Sequence, residues 1–311
     1  MTNRLTQSDS EKWIIGLIGY GEVGRILAED LSQQGFSLLA YDIKLKTDLK
    51  SEFQQHAHQY GVELTDSTDE LAARADLIIS AVTANQTVPV VEQCAGKFQE
   101  GAFFLDLNSA SPGTKQKAAE LVEKNGGYYV EGAVMTSVPP YRLKVPLLLG
   151  GPHGEVLNPF LKTMGFSSEV GSNKLGTVSA VKMCRSVMIK GLEAMMIESL
   201  TTARAYGVED QVLASLKETF PGLDWEQQGS YFFQRVIEHG RRRAEEVREV
   251  AKTVQEIGLT PYSAAGTADR QAWIADLADG GVFGERNTAD FARSPDWRTE
   301  ADRILQFLKE N

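Results

Sequence analysis

The sequence predicts a doubly wound α/β domain with a parallel sheet, followed by an all-α domain entered through one long helix. Three observations carry this expectation. From Trp13 to about Gly171, short apolar runs alternate with amphipathic stretches that end in glycine or proline. Near-continuous apolar strands separated by helices imply a parallel sheet covered on both faces. After about Ser172 no apolar strand recurs and helical spacing takes over. The first apolar run also closes on a glycine-rich turn that opens a helix.

In chain order, strands are expected at 13–19, 37–42, 76–82, 102–108, 128–134 and 145–151. Helices are expected between the early ones, at 22–34, 68–75, 86–98 and 113–124. Ser111-Pro112 reads as a helix start, with serine as the cap and proline in the first turn. No proline occurs between Pro159 and Pro221, and 177–206 reads as one helix of about 45 Å. Gly207 is placed to end it. Further helices are expected at 208–219, 225–237, 240–257, 262–279 and 297–309. A chain of 311 residues suggests two domains, here 1–172 and 173–311. Residues 1–11 are polar, lack the apolar region of a secretory signal and read as a tail.

Composition narrows the function. A hydrophobic share of 42% supports a sizeable core, and a net charge of −10 disfavours nucleic acid and anionic membrane surfaces as partners. No run of about 18 apolar residues is present, so no membrane span is expected. The two cysteines, Cys94 and Cys184, lack CxxC spacing. Neither a disulfide framework nor a metal site is expected, and a reducing, cytoplasmic compartment fits.

The turn after the first strand reads Gly19-Tyr20-Gly21-Glu22-Val23-Gly24, a GxGxxG between strand and helix. Gly19 permits the turn, Gly21 lets a pyrophosphate approach the backbone, and Gly24 lets the helix pack close to the strand. The phosphates would sit on the positive end of the helix. The second strand ends in Asp42, 18 residues beyond Gly24. A carboxylate there accepts hydrogen bonds from the ribose hydroxyls of NAD and repels the 2′-phosphate of NADP. Lys44, two residues on, softens that repulsion. The first domain is therefore read as Rossmann-type, with NAD expected over NADP.

With the motif, the layout and the long helix in place, the chain resembles the β-hydroxyacid dehydrogenase superfamily. That superfamily includes 6-phosphogluconate dehydrogenase, 3-hydroxyisobutyrate dehydrogenase and the imine reductases. The segment SAVKMCRSVMIKGLEA (179–194) resembles a branch described as 6-phosphogluconate dehydrogenase-like. GLIGYGEVGRILAEDLSQQG (16–35) matches the family's first motif. DLNSASPGTKQKAAEL (106–121) resembles the stretch that contacts the nicotinamide ribose, which places Asn108 and Ser109 there. Val82-Thr83 closes a strand at the crevice where such sheets bind ligands. The family's substrate loop reads as an acidic residue, Ala-Pro-Val and Ser-Gly-Gly. Here it is Glu131-Gly-Ala-Val134-Met135-Thr136-Ser137, without the serine or either glycine. Thr136 and Ser137 remain as donors to a substrate carboxylate, and the change points to a different, bulkier substrate.

The resemblance puts the family's catalytic lysine on Lys182, six residues after Gly176. Helical spacing places Ser179, Lys182, Ser186, Ile189 and Glu193 on one face, with Arg185 at its edge. The opposite face carries Ala180, Cys184, Val187 and Gly191, which suits close packing. Oxidation of a carbinol needs a group that takes the hydroxyl proton, and a lysine does so when desolvation or a nearby cation lowers its pKa. Ser186 stands where the family has asparagine. Arg142, in the proline loop, and the run Arg241-Arg242-Arg243 are candidate anchors for a substrate carboxylate. His239 is a candidate second proton-transfer group, whereas His56 and His58 read as surface residues. Met183, Met188, Met195 and Met196 form a stripe suited to core or to a homodimer interface, and the family generally dimerises.

Three readings follow. The first is an NAD-dependent dehydrogenase that oxidises the C3 hydroxyl of a carboxylate substrate, with Lys182 as general acid/base. The second is an imine reductase-like enzyme, a class that generally lacks the lysine and prefers NADP. The third is a catalytically silent NAD-binding sensor.

Overall fold

A computed structural model describes residues 13–286, 288, 291 and 294–310, and the expected 1–11 tail lies outside them. The chain divides into two compact units, one ending at Met183 and the other beginning at Cys184. The division falls inside the long helix, eleven residues beyond the boundary expected from sequence.

The first unit is built on an eight-stranded sheet. In chain order its strands are β1 (Ile14–Ile18), β2 (Ser37–Tyr41), β3 (Val62–Leu64), β4 (Leu77–Ser80), β5 (Phe103–Asp106), β6 (Tyr128–Val134), β7 (Leu147–Gly150) and β8 (Ser168–Ser172). Their order across the sheet is β3-β2-β1-β4-β5-β6-β7-β8. β1 pairs in parallel with both β2 and β4, so the strand order reverses at β1. The expected all-parallel sheet has one exception, because β7 runs antiparallel to β6. The loop joining them, residues 135–146, contains no α-helix of the kind that usually carries the crossover to a parallel neighbour.

Helices α1 (Glu22–Gln33), α2 (Lys50–Gln59), α3 (Thr68–Ala72), α4 (Thr87–Cys94), α5 (Pro112–Lys124) and α6 (Gly154–Thr163) connect the strands. One apolar core packs Trp13, Leu17, Leu27, Leu31, Phe103 and Phe160, and another packs Ile18, Leu71, Ile78, Phe104 and Val122. Alternating strand residues divide between them, Leu17 with Ile18 and Phe103 with Phe104, as two covered faces require. Ser111 caps α5 by accepting from the Thr114 N–H at 3.2 Å, with Pro112 opening the helix.

Helix α7 (Thr177–Tyr206) begins in the first unit and continues into the second. Gly207, at φ +68, ends it as the sequence predicts. The second unit continues with α8 (Glu209–Thr219), α9 (Trp225–Glu256), α10 (Tyr262–Asp279) and α11 (Trp297–Glu310). The two helices expected at 225–237 and 240–257 are one. Gly240 does not break α9, because it serves as a contact point. A side chain there would stand 2.8 Å from the Gln271 carbonyl oxygen of α10. The core of this unit gathers Leu200, Trp225, Phe233, Val236, Ile274, Phe283 and Trp297. Among the described residues, no helix is long and apolar enough to cross a membrane.

Candidate active site

Because β1, β2, β4, β5 and β6 run parallel, their carboxyl ends share one edge of the sheet. The reversal of strand order between β2 and β4 opens a crevice at that edge. The three glycines of the first turn have distinct local roles. Gly19 takes φ +92, and its N–H donates to the Tyr41 carbonyl at 2.9 Å. A side chain on Gly24 would collide with the Gly19 carbonyl oxygen, so α1 lies directly on the turn. At Gly21 a side chain would meet nothing within 4 Å, and no side chain caps α1 there. The first N–H groups of α1 thus have a bare approach, as an anion at a helix N-terminus needs. Glu22 is exposed and Val23 half-buried.

Asp42 stands half-buried at the end of β2. Its Oδ2 accepts from the Tyr20 N–H at 2.8 Å and its Oδ1 from the Lys44 N–H at 2.9 Å. The carboxylate is thereby fixed beside the glycine turn, with lone pairs left for further donors. Tyr20 is buried, and its hydroxyl lies 2.9 Å from His56 Nδ1. His56 Nε2 lies 3.2 Å from Glu29. His56 is therefore an internal link, in contrast to the surface position read from sequence, while His58 is exposed. Burial pushes the Tyr20 phenol well above its usual range.

The ends of β4 and β5 are joined through Asn108. Its Oδ1 accepts from the Val82 N–H at 2.7 Å, and its Nδ2 donates to Ser80 Oγ at 3.0 Å. Asn108 is held from behind by Asp106, which accepts from its N–H at 2.8 Å. Asp106 also accepts from the Tyr129 hydroxyl at 2.6 Å and pairs with Lys115 at 2.8 Å, all three side chains being fully buried. Sequence reasoning missed this network. The aspartate near the end of the fourth apolar run, with a lysine one helical turn into the next helix, was its signal. The Asn108 side chain points inward, so any contact with a ribose from that side chain is through what its two bonds leave free. Ser109 is half-buried, and Thr83 is exposed with its hydroxyl 2.7 Å from Asn85 Oδ1.

Beyond β6, Met135 is held by its N–H to the Pro146 carbonyl at 3.0 Å, and Thr136 and Ser137 are exposed. Arg142, expected as an anion anchor in this loop, is drawn onto α1. Its guanidinium pairs with Glu29 at 2.7 Å and with Asp30 at 2.6 Å, so two carboxylates already neutralise it. The arginine run is similarly engaged. Arg241 pairs with Asp276 and Asp279, each at 2.7 Å, and Arg242 with Glu246 at 2.9 Å. Arg243 is buried against the fully buried Glu193. His239 is exposed on α9, and its pKa is lowered by partial desolvation and then by Arg242, Arg235 and Arg243.

On α7 the polar stripe is fully covered only at its two ends. Ser179 and Glu193 are buried, Lys182, Ser186 and Ile189 half-buried, and Arg185 exposed. The face expected to pack closely is only partly covered, since Cys184 is exposed while Gly191 is buried. The methionine stripe splits the same way, with Met183 and Met196 buried and Met188 and Met195 exposed.

Residues 14–168 match the family described as the NAD binding domain of 6-phosphogluconate dehydrogenase. Residues 203–274 match a domain of unknown function, DUF1932. The chain belongs to the β-hydroxyacid dehydrogenase superfamily. A conserved hypothetical protein from Sinorhizobium meliloti shares 34% identity at a TM-score of 0.72, over 94% of this chain and 96% of that one. The mitochondrial 3-hydroxyisobutyrate dehydrogenase of Mus musculus is 25% identical over 71% of this chain and 66% of its own length. The 3-hydroxyisobutyrate dehydrogenase of Mycobacterium tuberculosis, solved with L-serine, shares the fold at a TM-score of 0.68 and 17% identity, over 94% and 99% of the two chains. An NAD-binding domain of dehydrogenase type and an all-helical C-terminal region thus describe this protein.

Proposed function

We propose that the protein is an NAD-dependent dehydrogenase that oxidises the C3 hydroxyl of a 3-hydroxy carboxylic acid, with Lys182 taking the hydroxyl proton. The observation that supports this most is the start of α7. Gly176 and Ser179 bond to Glu131 in β6, which ties the lysine-bearing helix to a strand whose carboxyl end joins the crevice. The L-serine solved with the Mycobacterium tuberculosis relative is itself a 3-hydroxy acid.

In this reading a bound NAD would supply the hydride acceptor for C3. The N–H groups at the start of α1 hold the pyrophosphate, and Gly21 leaves room for it. Asp42 takes the ribose hydroxyls, and its charge disfavours a 2′-phosphate. Val82, Thr83, Asn108 and Ser109 border the nicotinamide half. The neutral Lys182 amine accepts the hydroxyl proton and returns it in the reverse direction. Thr136 and Ser137 offer hydroxyl and N–H donors to the substrate carboxylate. The loop's departure from the family sequence, with Met135 in the serine position, supports a larger substituent at C2 or C3.

The test is nicotinamide reduction, followed by absorbance, with 3-hydroxy acids ranging from 3-hydroxyisobutyrate to aryl-substituted and sugar acids. Turnover on at least one member is expected with NAD, and a much lower rate with NADP. Cofactor binding without turnover on any member would contradict the reading.

A further inference from the structure

Glu131 lies in the middle of β6 and is fully buried. Its Oε2 accepts from the Gly176 N–H and its Oε1 from the Ser179 N–H, both at 2.7 Å. Gly176, at φ +87, turns the chain onto the carboxylate, and α7 begins at the next residue. The cap of this helix start therefore comes from the sheet and not from a neighbouring serine or aspartate. Charge-assisted hydrogen bonds to backbone N–H groups are the stronger kind, and an anion at a helix N-terminus also gains from the helix dipole.

The surrounding strands are shaped for this contact. Gly150 of β7 is in register with Glu131, and a side chain there would stand 2.7 Å from Oε2 and 2.8 Å from Val178 of α7. A side chain at Gly171 of β8 would likewise stand 2.8 Å from Val178. Three strands thus leave space for one carboxylate and the first turn of one helix. If the helix start moved away, it would leave a buried, unpaired carboxylate, which is costly.

We propose that Glu131 is a positioning residue, which fixes the first turn of α7 on the sheet and thereby sets where the Lys182 amine stands. This role rests on the reading of Lys182 as the proton acceptor. Ser179 precedes Lys182 by three residues, so a displaced first turn carries the amine with it. A misplacement of about 1 Å at a reacting group costs on the order of 100-fold in rate.

The test is a double-mutant cycle between Glu131→Gln and Lys182→Ala, with kcat expressed per molecule of bound NADH. Glu131→Gln is expected to lower kcat at least tenfold while the NADH Kd stays within about twofold of wild type. Introduced into Lys182→Ala, it is expected to lower kcat no more than about twofold further, because its effect passes through the lysine. An equal loss in both backgrounds, or wild-type kcat in Glu131→Gln, overturns the role. Gly150→Ala crowds the same carboxylate and is expected to give the same pattern, so it serves if Glu131→Gln does not fold. Wild-type turnover in Lys182→Ala alone overturns the lysine reading, and with it this role, whatever Glu131→Gln does.

Discussion

Arg142 occupies φ +53, a left-handed conformation that costs energy for any residue with a side chain. Its pairing with Glu29 and Asp30 on α1 holds it there and pins the 135–146 loop to the helix behind the glycine turn. Partial burial raises the Glu29 pKa, but hydrogen bonds from Arg142 and His56 outweigh it and leave the carboxyl below its usual range. The stabilisation is therefore complete above the ordinary glutamate pKa and is lost as pH falls through the lowered one. Arg142→Gln is expected to destabilise the protein by about 1 kcal/mol near neutral pH, since the pairs are partly exposed. Thermal melts across pH should show the gap to wild type closing in acid. A constant gap down to the acid limit would contradict the assignment. From sequence, Arg142 had a plausible role as an anion anchor because nothing in a linear pattern says that Glu29 and Asp30, more than a hundred residues earlier, stand beside it. His56 was misread for the same reason, its partners being Tyr20 and Glu29. Gly19, Gly21 and Gly24 were legible because their roles depend on local backbone geometry.

At the scale of elements, apolar runs revealed the six strands from β1 and β2 to β7 that have neighbours on both sides, but not β3 or β8. Those two are the edges of the sheet. β3 has three residues, and β8 reads Ser-Glu-Val-Gly-Ser, so neither carries the apolar signature of a covered strand. Short and polar edges are how sheets avoid pairing with other chains. The fusion of two expected helices into α9 has a different cause, because glycine reads as a helix breaker in sequence and as a close-approach residue in a packed pair. Gly240→Ala would put a methyl group 2.8 Å from the Gln271 carbonyl and 3.3 Å from Ala275 Cβ. It is expected to lower stability by about 1–3 kcal/mol, as overpacking does. Gly266→Ala on exposed α10 backbone, where a side chain would meet nothing within 4 Å, is expected to raise it by about 0.5–1 kcal/mol. Denaturant midpoints of the two variants shifting in the same direction would contradict this packing account.

For the whole molecule, the two-part organisation was legible in the change of texture near Ser172, because strand and helix periods differ. The unit boundary was not, since a helix that crosses from one unit to the next shows no break in its own periodicity. A net charge of −10 leaves an anionic cofactor dependent on local devices, and the first unit supplies them in the bare N-terminus of α1 and the backbone around Gly21. The buried Lys115–Asp106 pair and the Glu131 cap stiffen the sheet edge that carries these devices. What remained out of reach of sequence was the set of carboxylates already engaged with candidate arginines, which only the folded chain brings together. The measurement that bears most directly on the proposed chemistry is steady-state turnover of Lys182→Ala beside wild type, on the best 3-hydroxy acid, with NADH binding followed by fluorescence in the same samples. The account predicts unchanged NADH affinity and a loss of at least about 100-fold in kcat, the size of a general acid–base contribution. Turnover near wild type would show that another group takes the proton.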